Sequence, residues 1–279
     1  MPNFGYHFAR LKGNTLRKIY RALLSIIVRR PVRPPRSLAL RVFTYSNEEM
    51  LPEQVRSIRS FLHYVGRPES FTVITDGSHS ESSVSLLEHV DPCVSVRPFG
   101  QGLPDDLPAQ VRHYVTTYPM GRQLGLLMSL PVNGPVLYLD SDVLFFPGAD
   151  DFTHYLSAKD VAAFYLEDCQ LSADSRVFRE PSEQLNPVNC GALLFFKKLD
   201  WSIAIRRFLE LEGEPNFFTN QTLAHLALHV NGAQSFDPAK YVVQLDDQFI
   251  YPDRYAGREI ALRHYVNPVR HKFWGNFLR

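Results

Sequence analysis

The sequence predicts an α/β domain with a largely parallel central sheet. Short runs of β-branched, aromatic and aliphatic residues alternate, between residues 38 and 245, with longer stretches of helical periodicity. Turn residues such as Asp76-Gly77 and Gly134-Pro135 separate them. The composition, 45% hydrophobic and 21% charged over 279 residues, supplies a sizeable core and excludes disorder, collagen and a disulfide miniprotein. Strand–helix alternation of this kind builds parallel sheets covered by helices.

The elements follow in order. Residues 38–45 form an apolar, aromatic run read as the first strand. Leu51, Val55, Ile58, Leu62 and Val65 recur at helical spacing, with Pro52 in the first turn and Gly66 closing the helix. Residues 71–75 read as the second strand, 82–89 as a helix and 94–96 as a short strand. A helix is expected over 121–130, then a buried strand over 136–139. Further strands are expected near 161–166, 192–196 and 241–245, and helices near 201–211 and 221–230. In such sheets ligands bind beyond the carboxyl ends of the strands. That directs attention to residues 44–47, 76–78 and 140–142.

Charge divides the chain into residues 1–36, a basic arm with a proline-rich linker, and residues 37–279, the domain. The net charge of +1 conceals ten Lys and Arg before the first acid, Glu48, so that the first 47 residues carry +10 and the remainder −9. Within the arm Leu16, Ile19, Leu23, Ile26 and Ile27 recur as on one helix face, and Pro31, Pro34 and Pro35 end the pattern. A basic amphipathic helix over residues 10–36 suits an anionic membrane surface; a helix packed on the domain and a solvated tail are the alternatives. A nucleic-acid partner is not expected, because the body is acidic and lacks interleaved aromatic and basic residues. Cys93, Cys169 and Cys190 fit neither a disulfide framework nor a zinc site. The longest strongly apolar run, residues 22–28, is far short of the ~20 residues that span a bilayer, and no secretory pattern precedes it. The expected location is cytoplasmic, at most peripheral on the inner face of the membrane.

Asp140 and Asp142 stand where the apolar strand at 136–139 ends. Two carboxylates one residue apart repel each other, and an apolar strand tolerates them poorly without compensation. A divalent cation resolves both problems: Mg²⁺ or Mn²⁺ takes oxygen ligands and leaves positions open for substrate phosphates. A strand-end turn or helix cap is the simpler use of such acids. The hydrophobic strand before the pair and the apolar run after it favour the metal.

The stretch from Arg122 through Phe146 resembles the Asp-x-Asp region of GT-A glycosyltransferases, in particular family 8, the retaining galactosyltransferases and glycogenin-type enzymes. Three further segments agree in order. Asn189-Cys190-Gly191-Ala192-Leu193-Leu194-Phe195 is similar to the family's Asn-x-Gly strand, and Thr219-Asn220-Gln221-Thr222 to its Asp-Gln segment at a helix start. His264-Tyr265-Val266-Asn267-Pro268 through Trp274 is similar to its C-terminal His-Tyr-x-Gly-Pro segment. The resemblance covers most of residues 38–274. It implies a GT-A nucleotide-diphospho-sugar transferase fold, Rossmann-like, with helices on both faces of the sheet.

It also implies roles. Asp140, Asp142 and His264 become metal ligands, for Mn²⁺ or Mg²⁺, with an imidazole beside two carboxylates suiting Mn²⁺ better. A lysine that contacts the donor diphosphate falls on Arg270 when counted from His264 and on Lys272 when counted back from Trp274. Arg122 matches a donor-binding basic residue, or is a surface arginine. Thr44 and Tyr45 fall where the nucleoside binds, with Tyr45 either stacking on a uracil or filling the core. Asp76 either accepts from base or ribose or starts its turn. Asn189 and Gly191 would line the sugar pocket, and Gln221, with Asp142, would take part in catalysis. Asn220 replaces the family's aspartate, which weakens any claim of a covalent intermediate. Asp246 and Asp247 match a family loop, or are solvated acids.

The expected activity is metal-dependent transfer of a hexosyl group from a nucleoside diphosphate sugar, UDP-linked by analogy, to a hydroxyl of a glycan or glycolipid acceptor. A sugar nucleotidyltransferase is the first rival; it usually carries a glycine-rich basic loop after the first strand, which Thr44-Tyr45-Ser46-Asn47 is not. A non-catalytic sugar-nucleotide-binding protein on the same scaffold is the second.

Overall fold

The computed structural model describes residues 3–275 apart from 101 and 159. Ten strands are present among them: β1 (Ser37–Ser46), β2 (Arg67–Thr75), β3 (Val94–Pro98), β4 (Val136–Asp140), β5 (Val143–Phe145), β6 (Ala163–Glu167), β7 (Val188–Phe195), β8 (Gln234–Ser235), β9 (Tyr241–Val242) and β10 (Leu262–His264). Seven form a sheet in the order β3-β2-β1-β4-β7-β6-β8. All neighbours in it run parallel except β7, which is antiparallel to both β4 and β6. The other three form a small sheet in the order β5-β10-β9.

The helices are α1 (Phe4–Ala22), α2 (Leu24–Ile27), α3 (Leu51–Tyr64), α4 (Glu81–Glu88), α5 (Ala109–Thr117), α6 (Pro119–Ser129), α7 (Phe152–Leu156), α8 (Ser202–Leu209) and α9 (Thr219–Val230). They cover both faces of the large sheet, and strand periodicity decides which side chain meets which face. In β4, Leu137 and Leu139 join the core beneath α3, whereas Val136 and Tyr138 join the core beneath α5, α6, α8 and α9. The mainly parallel α/β architecture is therefore the one expected. β5, β8, β10 and α5 lie outside the sequence reading, and the strand expected at 241–245 shortens to Tyr241–Val242.

The arm is helical and lies on the domain. Ala9, Gly13, Tyr20, Leu24 and Val28 turn inward and are buried. Gly13 comes so close to the His271 carbonyl that a Cβ would collide with it. The Tyr20 ring lies 4.9 Å from that of Trp274. Arg17 grips the buried Glu53 carboxylate at 2.5 and 3.1 Å, and Trp274 Nε1 donates to the same carboxylate at 3.2 Å. The expected stripe is thus divided. Leu16 and Ile27 pack inward, while Ile19, Leu23 and Ile26 face outward with Phe4, Phe8 and Leu11. The helix carries two apolar faces, and the periodicity alone merged them. No described helix is long and apolar enough to cross a membrane.

Candidate active site

β4 ends at Asp140, and the chain turns through Ser141 and Asp142 into β5. β5 pairs antiparallel with β10, placing His264 opposite Val143, and Tyr265 N–H donates to the Asp142 carbonyl at 3.0 Å. This pairing carries an imidazole from near the chain's end to the acids. His264 Nε2 lies 3.0 Å from Asp142 Oδ1 and 3.5 Å from Asp140 Oδ2. One ligand atom from each of the three residues falls within 4.8 Å of the others.

Each of the three side chains is held from behind. Asp140 Oδ1 accepts from Tyr138 Oη at 2.6 Å and from Gln123 Nε2 at 2.9 Å, and Asn220 Nδ2 donates to Gln123 Oε1 at 2.6 Å. Asn189 Oδ1 accepts from His264 Nδ1 at 2.7 Å and from the Gly191 N–H at 3.0 Å, while Asn189 Nδ2 points at Asp168 Oδ2, 3.3 Å away. A proton on Nδ1 turns the Nε2 lone pair toward the acids. The imidazole rests on Gly191, where any Cβ would overlap the ring. Asp142 Oδ2 accepts from Arg270 Nη2 at 2.6 Å and Nε at 3.1 Å.

The electrostatics follow from burial and these neighbours. Burial alone would raise Asp142, but the charges of His264 and Arg270 outweigh it and hold the carboxyl at about 2. Burial raises Asp140, and the Asp142 charge adds to it against the pull of His264. Burial would lower His264, but Asp142 outweighs it and the imidazole is raised above its usual value. Two carboxylates and an imidazole, converging and backed by buried hydrogen-bond partners, fit a divalent cation.

The other sequence candidates are distributed as follows. Tyr45 lies beside Asp140 in the parallel register of β1 and β4, half-buried between Arg122 and the Phe99 ring 6.1 Å away. Arg122 Nε donates to the Thr116 carbonyl at 2.9 Å. Thr44 is buried with its hydroxyl on Gln54, so of the two only Tyr45 is left half-exposed at the carboxyl edge of β1. Asp76, at the carboxyl edge, holds its turn by accepting from Ser78. Gln221 donates to the Ser172 carbonyl at 2.8 Å, whereas its neighbour Asn220 reaches the acid pair through Gln123. Lys272 is buried under the carbonyls of Ile250 and Pro252, at 2.8 and 2.7 Å, and lies 3.6 Å from Asp247. Asp247 is not a solvated acid: it is fully buried against Arg263.

Gln123, Tyr138 and Asp168 are absent from the sequence reading. Tyr138 had a readable signal, since it shares a strand face with Asp140 two residues on. Asp168 and Gln123 had none, because only the packing of β6 on β7 and of α6 on β4 makes them neighbours of the site.

Solved structures share this fold. The galactosyltransferase LgtC, in complex with donor and acceptor sugar analogues, superposes on 82% of this chain and 87% of its own with a TM-score of 0.55 at 17% identity. Mouse xyloside xylosyltransferase 1 covers 84% of this chain and 99% of its own (TM-score 0.54, 10% identity). The glycosyltransferase GlyE of Streptococcus pneumoniae covers 87% and 61% (TM-score 0.54, 14% identity). The chain has the GT-A fold. No family model and no curated protein matches the sequence. In the GT-A frame the acid pair occupies the carboxyl edge of β4, with β1 and β2 on one side and β7 on the other.

Proposed function

We propose that the protein is a metal-dependent glycosyltransferase that moves a hexosyl group from a nucleoside diphosphate sugar to an acceptor hydroxyl. The observation that carries this is the convergence of Asp140, Asp142 and His264 at the strand edge of a GT-A fold. The family 8 resemblance suggests a UDP-linked donor and a glycan or glycolipid acceptor, and the fold shared with LgtC, which was solved with donor and acceptor sugar analogues, supports a sugar donor and a sugar acceptor.

Asp140, Asp142 and His264 would hold Mn²⁺ or Mg²⁺, and the ion supplies charge that stabilises the departing diphosphate. Arg270, half-exposed on Asp142, is placed to turn from the carboxylate to a phosphate oxygen. Lys272, saturated by carbonyls, supports the turn that carries Arg270. Tyr45 and Arg122 at the β1 edge suit the nucleoside; Asn189 and Gly191 act on the sugar side through His264. In the reaction the bond from the anomeric carbon to the β-phosphate oxygen breaks and the acceptor oxygen bonds to that carbon. The acceptor proton passes to the departing phosphate. The family 8 resemblance favours retention, and with no carboxylate among the described residues standing as an evident nucleophile the retaining route would be front-face attack aided by the leaving phosphate.

The basic arm supports an acceptor at an anionic membrane surface, with the protein peripheral on the cytoplasmic side. Its outward apolar face, with Lys12 and Lys18 exposed along it, provides the contact.

Turnover of a panel of UDP-sugars with and without Mn²⁺ tests the reading. Metal-dependent transfer that vanishes in Asp142→Ala, with the variant still folded, is expected. Tight donor binding with no turnover of any sugar nucleotide would instead identify a non-catalytic binder.

A further inference from the structure

A cavity of about 1120 Å³ opens between the linker after α2, helix α3 and strand β5, and none of the residues of the candidate active site lines it. Its polar lining is cationic: Arg30, Arg33, Arg56, Arg59, Arg258 and His63 face it. No Asp or Glu is among the lining residues. Glu259 lies at its edge, folded against Gly257. Among the described residues none of the five arginines makes an ion pair. Arg59 donates to the Arg30 carbonyl at 2.8 Å, and Arg56 to the Phe273 carbonyl at 2.5 Å. The Arg56 guanidinium also lies 5.3 Å from the Phe273 ring and 5.2 Å from that of Trp274. Both cations are therefore anchored where they stand. Burial pushes both guanidinium groups below their usual value, and Arg30 pushes Arg59 further. Apart from Ser60 and the tyrosines Tyr20 and Tyr64, the rest of the lining is apolar and includes Ile27, Val32, Leu144 and Phe146.

Anchored guanidinium groups with no ion-pair partner among the described residues attract an anion, the Glu53 and Asp253 charges reaching Arg56 only from beyond contact distance, and arginine forks match phosphate oxygens. The apolar lining is of no use to a bare anion. It suits a molecule whose phosphate continues into hydrocarbon. The lining also continues from the arm: Ile27 and Arg30 of the cavity directly follow the exposed Ile26 and Arg29 in the chain. An arm lying on a bilayer by its outward face would bring the cavity to headgroup level.

We propose that this cavity binds the phosphate headgroup of an anionic lipid, with the first carbons of the acyl region on the apolar lining that includes Ile27 and Phe146. The site is separate from the sugar-nucleotide site and does not depend on the activity assigned there.

The test titrates the full chain, by calorimetry, with dihexanoyl-phosphatidylglycerol, dihexanoyl-phosphatidylcholine and inorganic phosphate. The anionic short-chain lipid should bind, and the zwitterionic one should bind at least tenfold more weakly. The exposed pair R33E/R258E should lose tenfold or more, with R33Q/R258Q intermediate, while Mn²⁺ binding stays unchanged and reports an intact fold. Unchanged lipid affinity in both variants overturns the site. Inorganic phosphate binding as tightly as the lipid overturns the lipid assignment and leaves a small-anion site.

Discussion

His264 Nδ1 lies 2.7 Å from Asn189 Oδ1, a contact between residues 75 positions apart. An amide oxygen there accepts only from a protonated Nδ1, so Asn189 selects the tautomer whose Nε2 is free to take a metal. Outer partners of this kind contribute about 10–100-fold to metal affinity. Asn189→Ala should weaken Mn²⁺ binding by that order, and Asn189→Asp, which keeps an acceptor oxygen, should recover much of it. Electron paramagnetic resonance titration of free Mn²⁺ reads this without any turnover. Equal affinity in wild type and Asn189→Ala would show the contact to be packing only.

Arg270 opposes the same ion. Its guanidinium sits on Asp142 Oδ2 at 2.6 Å, where a ligating carboxylate must turn toward the metal. Arg270→Ala should therefore bind Mn²⁺ alone several-fold more tightly. It should bind the Mn²⁺ complex of UDP more weakly by roughly tenfold, since a charge-assisted contact to phosphate is lost. The opposite signs distinguish a residue that serves both states from one that only balances charge.

The acid pair was legible because it interrupts an uninterrupted apolar strand, a local signal. β10 was not. It has three residues, and its middle one, Arg263, reads as surface although it is fully buried. The cause is tertiary: Asp247 and Asp253, 16 and 10 positions earlier, neutralise the guanidinium, and the rings of Tyr255 and Tyr265 lie 5.1 and 4.8 Å from it. Lys272 illustrates the same point. Motif spacing made it a phosphate ligand candidate, yet the chain folds two backbone carbonyls onto its ammonium. The arm helix was visible in the periodicity, but which of its apolar faces is covered depends on Trp274 and His271, more than 240 positions away.

The Arg263 cluster should dominate the stability of this corner. Asp247 bonds Arg263 at 2.8 and 3.0 Å, and Lys272 stands 3.6 Å off. Removing the acid leaves two buried cations short of a partner, which costs about 3–5 kcal/mol. Asp247→Ala should lower the urea midpoint accordingly and weaken Mn²⁺ binding, because β10 carries His264 next to Arg263. A loss under 1 kcal/mol would mean that Asp253 alone suffices.

The outward face of the arm predicts a membrane phenotype with a clear sign. Phe8 and Leu11 are 61% and 64% exposed, one helical turn apart, and neither touches the active site. Phe8→Glu/Leu11→Glu should release the protein from phosphatidylglycerol vesicles in a flotation assay and leave its melting temperature within a degree or two. Retained flotation would mean that the basic residues act alone.

His225 makes the protein acid-sensitive through one hydrogen-bond pattern. Its Nε2 faces the Glu183 carbonyl at 2.7 Å, and the Val188 N–H donates to Nδ1 at 3.3 Å. This is the neutral imidazole with its proton on Nε2. Protonating Nδ1 would set N–H against N–H. Burial lowers the group to about 4, with the neighbouring His229 acting in the same direction and the Glu183 carbonyl against it. The folded state then binds fewer protons than the unfolded chain, whose histidine titrates near 6.5. Stability is full above that value and falls as pH drops from about 6.5 to about 4, by roughly 3 kcal/mol for a shift of that size. Histidine 225 replaced by glutamine (His225→Gln) supplies one amide in place of the ring and cannot be protonated. The variant should start less stable at pH 8 and lose the slope between pH 6.5 and 4, as read from urea midpoints across that range. An unchanged slope would place the acid sensitivity of that pH window in groups other than His225.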